Sequence, residues 1–172
     1  MANEQVIIDL SQYLSGISKG SVSDFENGFA PIHIEWHDTT GGPGTGGTFQ
    51  GSAIGFLSFH HLAVQFLSNV PGADMHIWNE SDTPPGPHPQ YPGTCDTLSD
   101  PSEYSACLES WHNDVHNNTV SAGGEYDDRF SDRAQNIFMP MFWWWHSLID
   151  DMFMSWLSKN GISFDDLDHV VV

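Results

Sequence analysis

Apolar residues recur along this chain at spacings of three and four, the period of helices with one buried face, and strict alternation is absent. Residues 4–18 carry Val6, Ile7, Leu10, Tyr13, Leu14 and Ile17 in that register and predict an amphipathic helix that Gly20 stops. A second helix is predicted from Ser23, the expected cap with Glu26 three positions on, its apolar face formed by Phe25, Phe29, Ile32 and Trp36. Pro31 is expected to kink or divide it. From Ser52 to Leu67 the stripe is Ile54, Leu57, His61, Val64 and Leu67, with Phe56, His60 and Phe66 beside it. One of the adjacent histidines His60 and His61 faces inward, and the other is solvated or satisfied by a neighbour. Tyr104, Leu108, Trp111 and Val115 predict a helix over residues 102–117. Phe142, Trp145, Ile149, Met152, Phe153 and Trp156 predict a last one over 136–159, stopped by Asn160-Gly161. With no repeat at a fixed period and no alternating strand, the expected architecture is all-α: a single-domain helical bundle with long loops spanning residues 1–172.

The breaks in this pattern are as informative. Gly41-Gly42-Pro43-Gly44-Thr45-Gly46-Gly47 is too rich in glycine for either regular element and lacks the Gly-Lys-Ser/Thr ending of a phosphate loop, so it reads as a flexible connection. Residues 71–101 hold seven prolines and little periodicity. A loop of that length in a compact domain is a candidate lid or pocket wall. His76, Trp78 and His88 within it have no partner at ligand spacing and read as structural or surface residues. Residues 120–134 are polar and acidic, broken by Gly123-Gly124, and His169 near the end of the chain reads as exposed.

Charge narrows the partners. Four basic residues against 23 acidic ones give a formal charge of −19. Such a field repels phosphate, which argues against nucleic acid and anionic lipid. No run approaches the roughly 20 apolar residues of a membrane span, and Met1 to Gln5 lacks a basic leader, so an intracellular, cytoplasmic protein is expected. Cys95 and Cys107, twelve apart, leave both states open: thiols are the default inside a cell, and the spacing permits a bridge that closes a loop.

Candidate chemistry lies in the histidines. His112 and His116 are four apart on one predicted helix, and His146 adds a third imidazole from an aromatic-rich helix. Three neutral imidazoles with an open fourth position suit a catalytic metal. His33 and His37 share the same i, i+4 spacing.

The segments around these residues carry a more specific signal. His112-Asn113-Asp114-Val115-His116, followed by Pro140-Met141-Phe142-Trp143-Trp144-Trp145-His146-Ser147-Leu148-Ile149-Asp150, resembles the copper B half of the tyrosinase, catechol oxidase and hemocyanin family. The family pattern there is His-Asn-x-Val-His, then Pro-x-Phe-x-x-His-His-x-x-Ile-Asp. Trp145 stands where the family has the first histidine of the second motif, and His146 keeps the ligand position. The copper A half is eroded. Ile32-His33-Ile34 and Phe56-Leu57-Ser58-Phe59-His60-His61 resemble its outer elements, but Gly51 occupies the place of its middle histidine.

The resemblance implies a hemocyanin/tyrosinase-like helical bundle in which His112, His116 and His146 are metal ligands. It implies that Asn113 and Asp150 support them from behind. With one half intact and the other depleted, the chain is most similar to the fungal hemocyanin-like zinc cyclopenases. These convert cyclopenin-type benzodiazepinediones to viridicatin-type quinolones by ring contraction with loss of methyl isocyanate. The implied cofactor is one Zn²⁺ and the implied partner a small aromatic substrate, held by Trp143, Trp145, Phe59 or Trp78. His33, His37 and His60, released from copper, are the expected acid and base, and Asn113 is counted with them in the catalytic set. Two alternatives use two coppers on His33, His37, His60, His112, His116 and His146: an oxidase of phenols, or a dioxygen carrier. In a further alternative the triad merely staples the bundle.

Overall fold

The structure is a computed structural model that describes residues 14–40, 53–79, 89–119 and 127–167, the side chains of 35–40 excepted. Most of the first predicted helix therefore lies outside the described residues, as do Gly51, His88, His169 and the side chain of His37. Among the described residues, the α-helices with both ends in view are, in chain order, α1 (Val22–Thr40), α2 (Ala53–Leu67), α3 (Pro101–Asn118), the single turn α4 (Asp128–Ser131) and α5 (Pro140–Lys159). No strand occurs among the described residues, so the fold is all-α. No helix among them is long and apolar enough to cross a membrane.

The helix ends show which local signals win. At α1 the cap is Ser21, not Ser23. Its Oγ accepts from the Asp24 N–H at 3.1 Å and donates to the Asp24 carboxylate at 2.7 Å, the same Ser-x-x-acid motif shifted by two residues. Pro31 does not divide α1, which runs unbroken through it. Phe25 and Phe29 are fully buried just before the proline and His33 just after it, so packing on both sides holds the segment helical. The helix expected from residue 136 is split. Asn136–Phe138 is a 3-10 turn, Met139 is extended, and α5 begins at Pro140. Proline disfavours helical backbone at the residue before it but suits a first helical position. Asp100 caps α3, accepting from the N–H groups of Ser102 and Glu103 at 2.9 and 3.0 Å. Gly161, at φ 69°, closes α5 in the left-handed conformation that glycine takes without strain.

Helix α2 is the centre of the bundle, packing against both α3 and α5. Ten of its fifteen residues are buried, which leaves it little solvent face. Leu57, Phe59, Leu108, Val115, Phe142, Ile149 and Phe153 fill the space between the three helices, and Phe25 and Phe29 bring α1 onto the same core. Cys95, in the 3-10 turn Cys95–Thr97, is joined to Cys107 of α3, their Cα atoms 5.7 Å apart. Of the two states the spacing leaves open, the cysteines are thus paired, because the turn folds back along the first part of α3 and brings the two within bonding reach.

Candidate metal centre

Two helices build the centre. On α3, His112 and His116 lie one turn apart on the inner face, and His146 projects from the neighbouring α5. One candidate ligand atom from each of the three lies within 4.8 Å of the others. The ring centroids are 4.7 Å (His112–His116), 4.8 Å (His112–His146) and 5.3 Å (His116–His146) apart. All three are buried, His112 and His146 almost completely and His116 with 8 % of its surface exposed.

What makes this more than a cluster is the far side of each ring. His116 Nδ1 donates to the Phe130 carbonyl at 2.7 Å, and His146 Nδ1 to the Phe142 carbonyl at 2.7 Å. A carbonyl only accepts, so in both rings the proton is on Nδ1 and Nε2 carries a lone pair. His112 Nδ1 lies 3.1 Å from the Glu109 carboxyl, and its Nε2 lies 2.9 Å from that of His146. Since His146 Nε2 carries a lone pair, the His112 Nε2–H donates to it when no ion is bound, and a cation between the two nitrogens displaces that proton. Burial keeps the rings neutral and their lone pairs available, pushing His116 down to about 4 and His146 well below the usual histidine range. A divalent metal fits the donor set. Tetrahedral Zn–N bonds of about 2.0–2.1 Å put ligand nitrogens about 3.3 Å apart, which the closest pair reaches by opening a few tenths of an ångström.

Glu109 was not anticipated from the sequence. It is fully buried, its carboxyl pushed well above the usual carboxylate range by loss of solvent, and it also accepts from the Asn113 side-chain amide at 3.1 Å. The chain Asn113, Glu109, His112 is the carboxylate–histidine support that metal-ligating imidazoles use to fix orientation and raise basicity. The available signal was an acid three residues before His112, on the inner face of a helix. Asn113, bonded to Glu109, stands one hydrogen bond further from the His112 ring. The Asp150 carboxylate, four residues beyond His146 on α5, accepts instead from His61 Nδ1 of α2 at 2.7 Å.

His60 is the inward member of the adjacent pair, its ring 4.3 Å from that of His146 and 5.6 Å from that of His112. His33 is next, 6.1 Å from His60, with Nδ1 3.2 Å from the Arg133 carbonyl. His60 thus borders the triad, with His33 behind it. Among the described residues, His112, His116 and His146 are the one group placed to share an ion.

Comparison with protein-family models, with curated proteins and with solved structures gives no match. The site is accordingly read from its own geometry.

The expected aromatic pocket divides in two. Phe59 and Trp143 belong to the core against α1, where Phe29 lies 5.4 Å from Phe59 and 5.5 Å from Trp143. Trp143 Nε1 is tied to the Ile137 carbonyl at 2.9 Å. Trp78 and Trp145 instead line a cleft on the other side, together with Tyr91 and Trp111. The described ends of the proline-rich loop supply part of that wall, as expected of it. The Trp145 ring lies nearly parallel to His112, at 13° and 6.3 Å between centroids, so it borders both cleft and triad.

Proposed function

We propose that this chain is a mononuclear zinc enzyme of the tyrosinase and hemocyanin family. Its proposed reaction is conversion of cyclopenin-type benzodiazepinediones to viridicatin-type quinolones with loss of methyl isocyanate. The observation that carries the metal assignment is the convergence of one ring nitrogen from each of three buried histidines, each ring held at Nδ1 by a hydrogen-bond partner. The substrate assignment rests on the copper B pattern of the sequence, with Trp145 and Gly51 where a dicopper protein has histidine.

In this scheme His112, His116 and His146 would hold the ion. When bound, zinc supplies a Lewis acid that draws electron density from a substrate oxygen without a redox change. Everything else falls to the chain. The Phe130 and Phe142 carbonyls and the Glu109 carboxylate keep the rings in one tautomer and orientation, so no reorganisation is needed when charge develops. Burial of the triad excludes bulk water, which favours rearrangement over hydrolysis. His60, its ring 4.3 Å from that of His146, would hold or move a proton beside the reacting oxygen.

A second reading, a dicopper phenol oxidase, draws on the proximity of His33 and His60 to the triad. Incubating the purified protein with cyclopenin separates the two. Appearance of viridicatin supports the zinc enzyme; oxidation of a catechol with cyclopenin untouched overturns it.

A further inference from the structure

The cleft beside the triad has a construction of its own. It encloses about 200 Å³. That is below the roughly 300–1,000 Å³ of sites for drug-sized ligands, and suits one or two fused rings. Its aromatic walls form a continuous edge-to-face chain. Trp78 meets Trp145 at 5.2 Å and 62°, Trp145 meets Trp111 at 4.8 Å and 70°, and Trp111 meets Tyr91 at 5.0 Å and 64°. Rings set this way present faces and edges in turn, the arrangement that complements the face and rim of another aromatic group.

The walls are also fixed. Trp111 Nε1 donates to the Pro89 carbonyl at 2.9 Å, Tyr91 Oη donates to the Asp96 carboxylate at 2.8 Å, and the Cys95–Cys107 bond ties the intervening segment to α3. A ligand therefore meets a preformed surface and loses little affinity to ordering it. No charged side chain among the described residues lines the cleft, and its polar lining residues are the carboxamides Asn79 and Gln90, both exposed. Burying an ionic group there would remove it from water without a counter-charge, which is costly. Within the wall, the Trp145 indole N–H is itself buried with no hydrogen-bond acceptor among the described residues.

We propose that this cleft binds a flat, uncharged aromatic group of one or two fused rings, with the Trp145 indole as the wall it shares with the metal triad. None of the three metal ligands lines the cleft, so the proposal does not depend on which metal the triad holds, or on whether it holds one.

Three naphthalene probes of one shape and different charge test it: 2-naphthamide, 2-naphthoate and protonated 2-naphthylmethylamine. They are titrated into ¹⁵N-labelled protein at about 0.3 M salt, where the long-range field of the chain is screened. The amide is expected to saturate while shifting the indole N–H resonances of Trp78, Trp111 and Trp145 and leaving those of Trp143 and Trp156 in place. The two ions are expected to bind about tenfold more weakly. Leu148→Trp, which adds bulk at a half-buried lining position, should weaken the amide at least about tenfold, with folding checked by circular dichroism. If that variant does not fold, the resonance pattern and the charge series decide by themselves. Shifts spread equally over all seven indoles, tighter binding of either ion, or no saturation by the amide would overturn the proposal. So would unchanged affinity in a folded Leu148→Trp.

Discussion

The histidines of α3 and α5 and those of α1 and α2 share one core, yet they are built differently. His112, His116 and His146 each have Nδ1 held by a hydrogen-bond partner, and one ring nitrogen of each lies within 4.8 Å of the others. His33 and His60 are just as buried, but their rings stand 6.1 Å apart and they join no group of three among the described residues. The contrast teaches that burial and proximity do not make a metal site. Convergence of three ring nitrogens does: His33 also offers Nδ1 to a carbonyl, that of Arg133, without joining such a group.

The comparison breaks most directly by exchanging the two sets. His146→Ala is expected to lower metal affinity by at least about a hundredfold, whereas His33→Ala should keep one ion per chain; competition with a chelator reads both. Equal loss in the two variants would abolish the distinction.

A smaller effect should appear in the metal-free protein as acid is added. His116 titrates at about 4 when folded and near 6.5 when unfolded, so between these values the unfolded chain binds more protons. Stability therefore falls as pH drops through that window, by about 3 kcal/mol from His116, with His146 acting in the same direction. Glu109 works oppositely: its raised value means that stability is lost as pH rises above the normal carboxylate range. Urea unfolding between about pH 4 and 7 should show the acid limb, and added metal should change its slope by competing with protons for the histidines.

Glu109→Gln keeps the shape and an acceptor for His112 but cannot ionise to support a bound cation. A loss of metal affinity of about ten- to a hundredfold is expected, with the fold intact by circular dichroism. The smallest effect should come from His61→Ala. It removes the bond to Asp150 between α2 and α5, at a cost of about 1–2 kcal/mol in unfolding, while metal content stays unchanged.

The parts of the molecule legible in the sequence are those set by local spacing. His112 and His116 had to share a face once α3 was helical, and the stop at Gly161 followed from glycine's freedom at positive φ. Tertiary choices were not legible. Asp150 is within one turn of His146, and only the position of α2 sends it to His61. Trp143 and Trp145 are two apart and so face different sides of α5, one toward α1 and the other toward the cleft, although both read as pocket aromatics. Glu109 was missed because an acid on a helix is usually solvated, and only the fold shows that this one is enclosed.

The central claim is that one half of this histidine core holds a single metal and the other half holds none. Metal analysis of protein purified without added metal tests it directly. One zinc per chain, lost in His146→Ala and retained in His33→Ala, is the predicted result. Two coppers per chain, with an absorption band near the ultraviolet on adding peroxide, would contradict it.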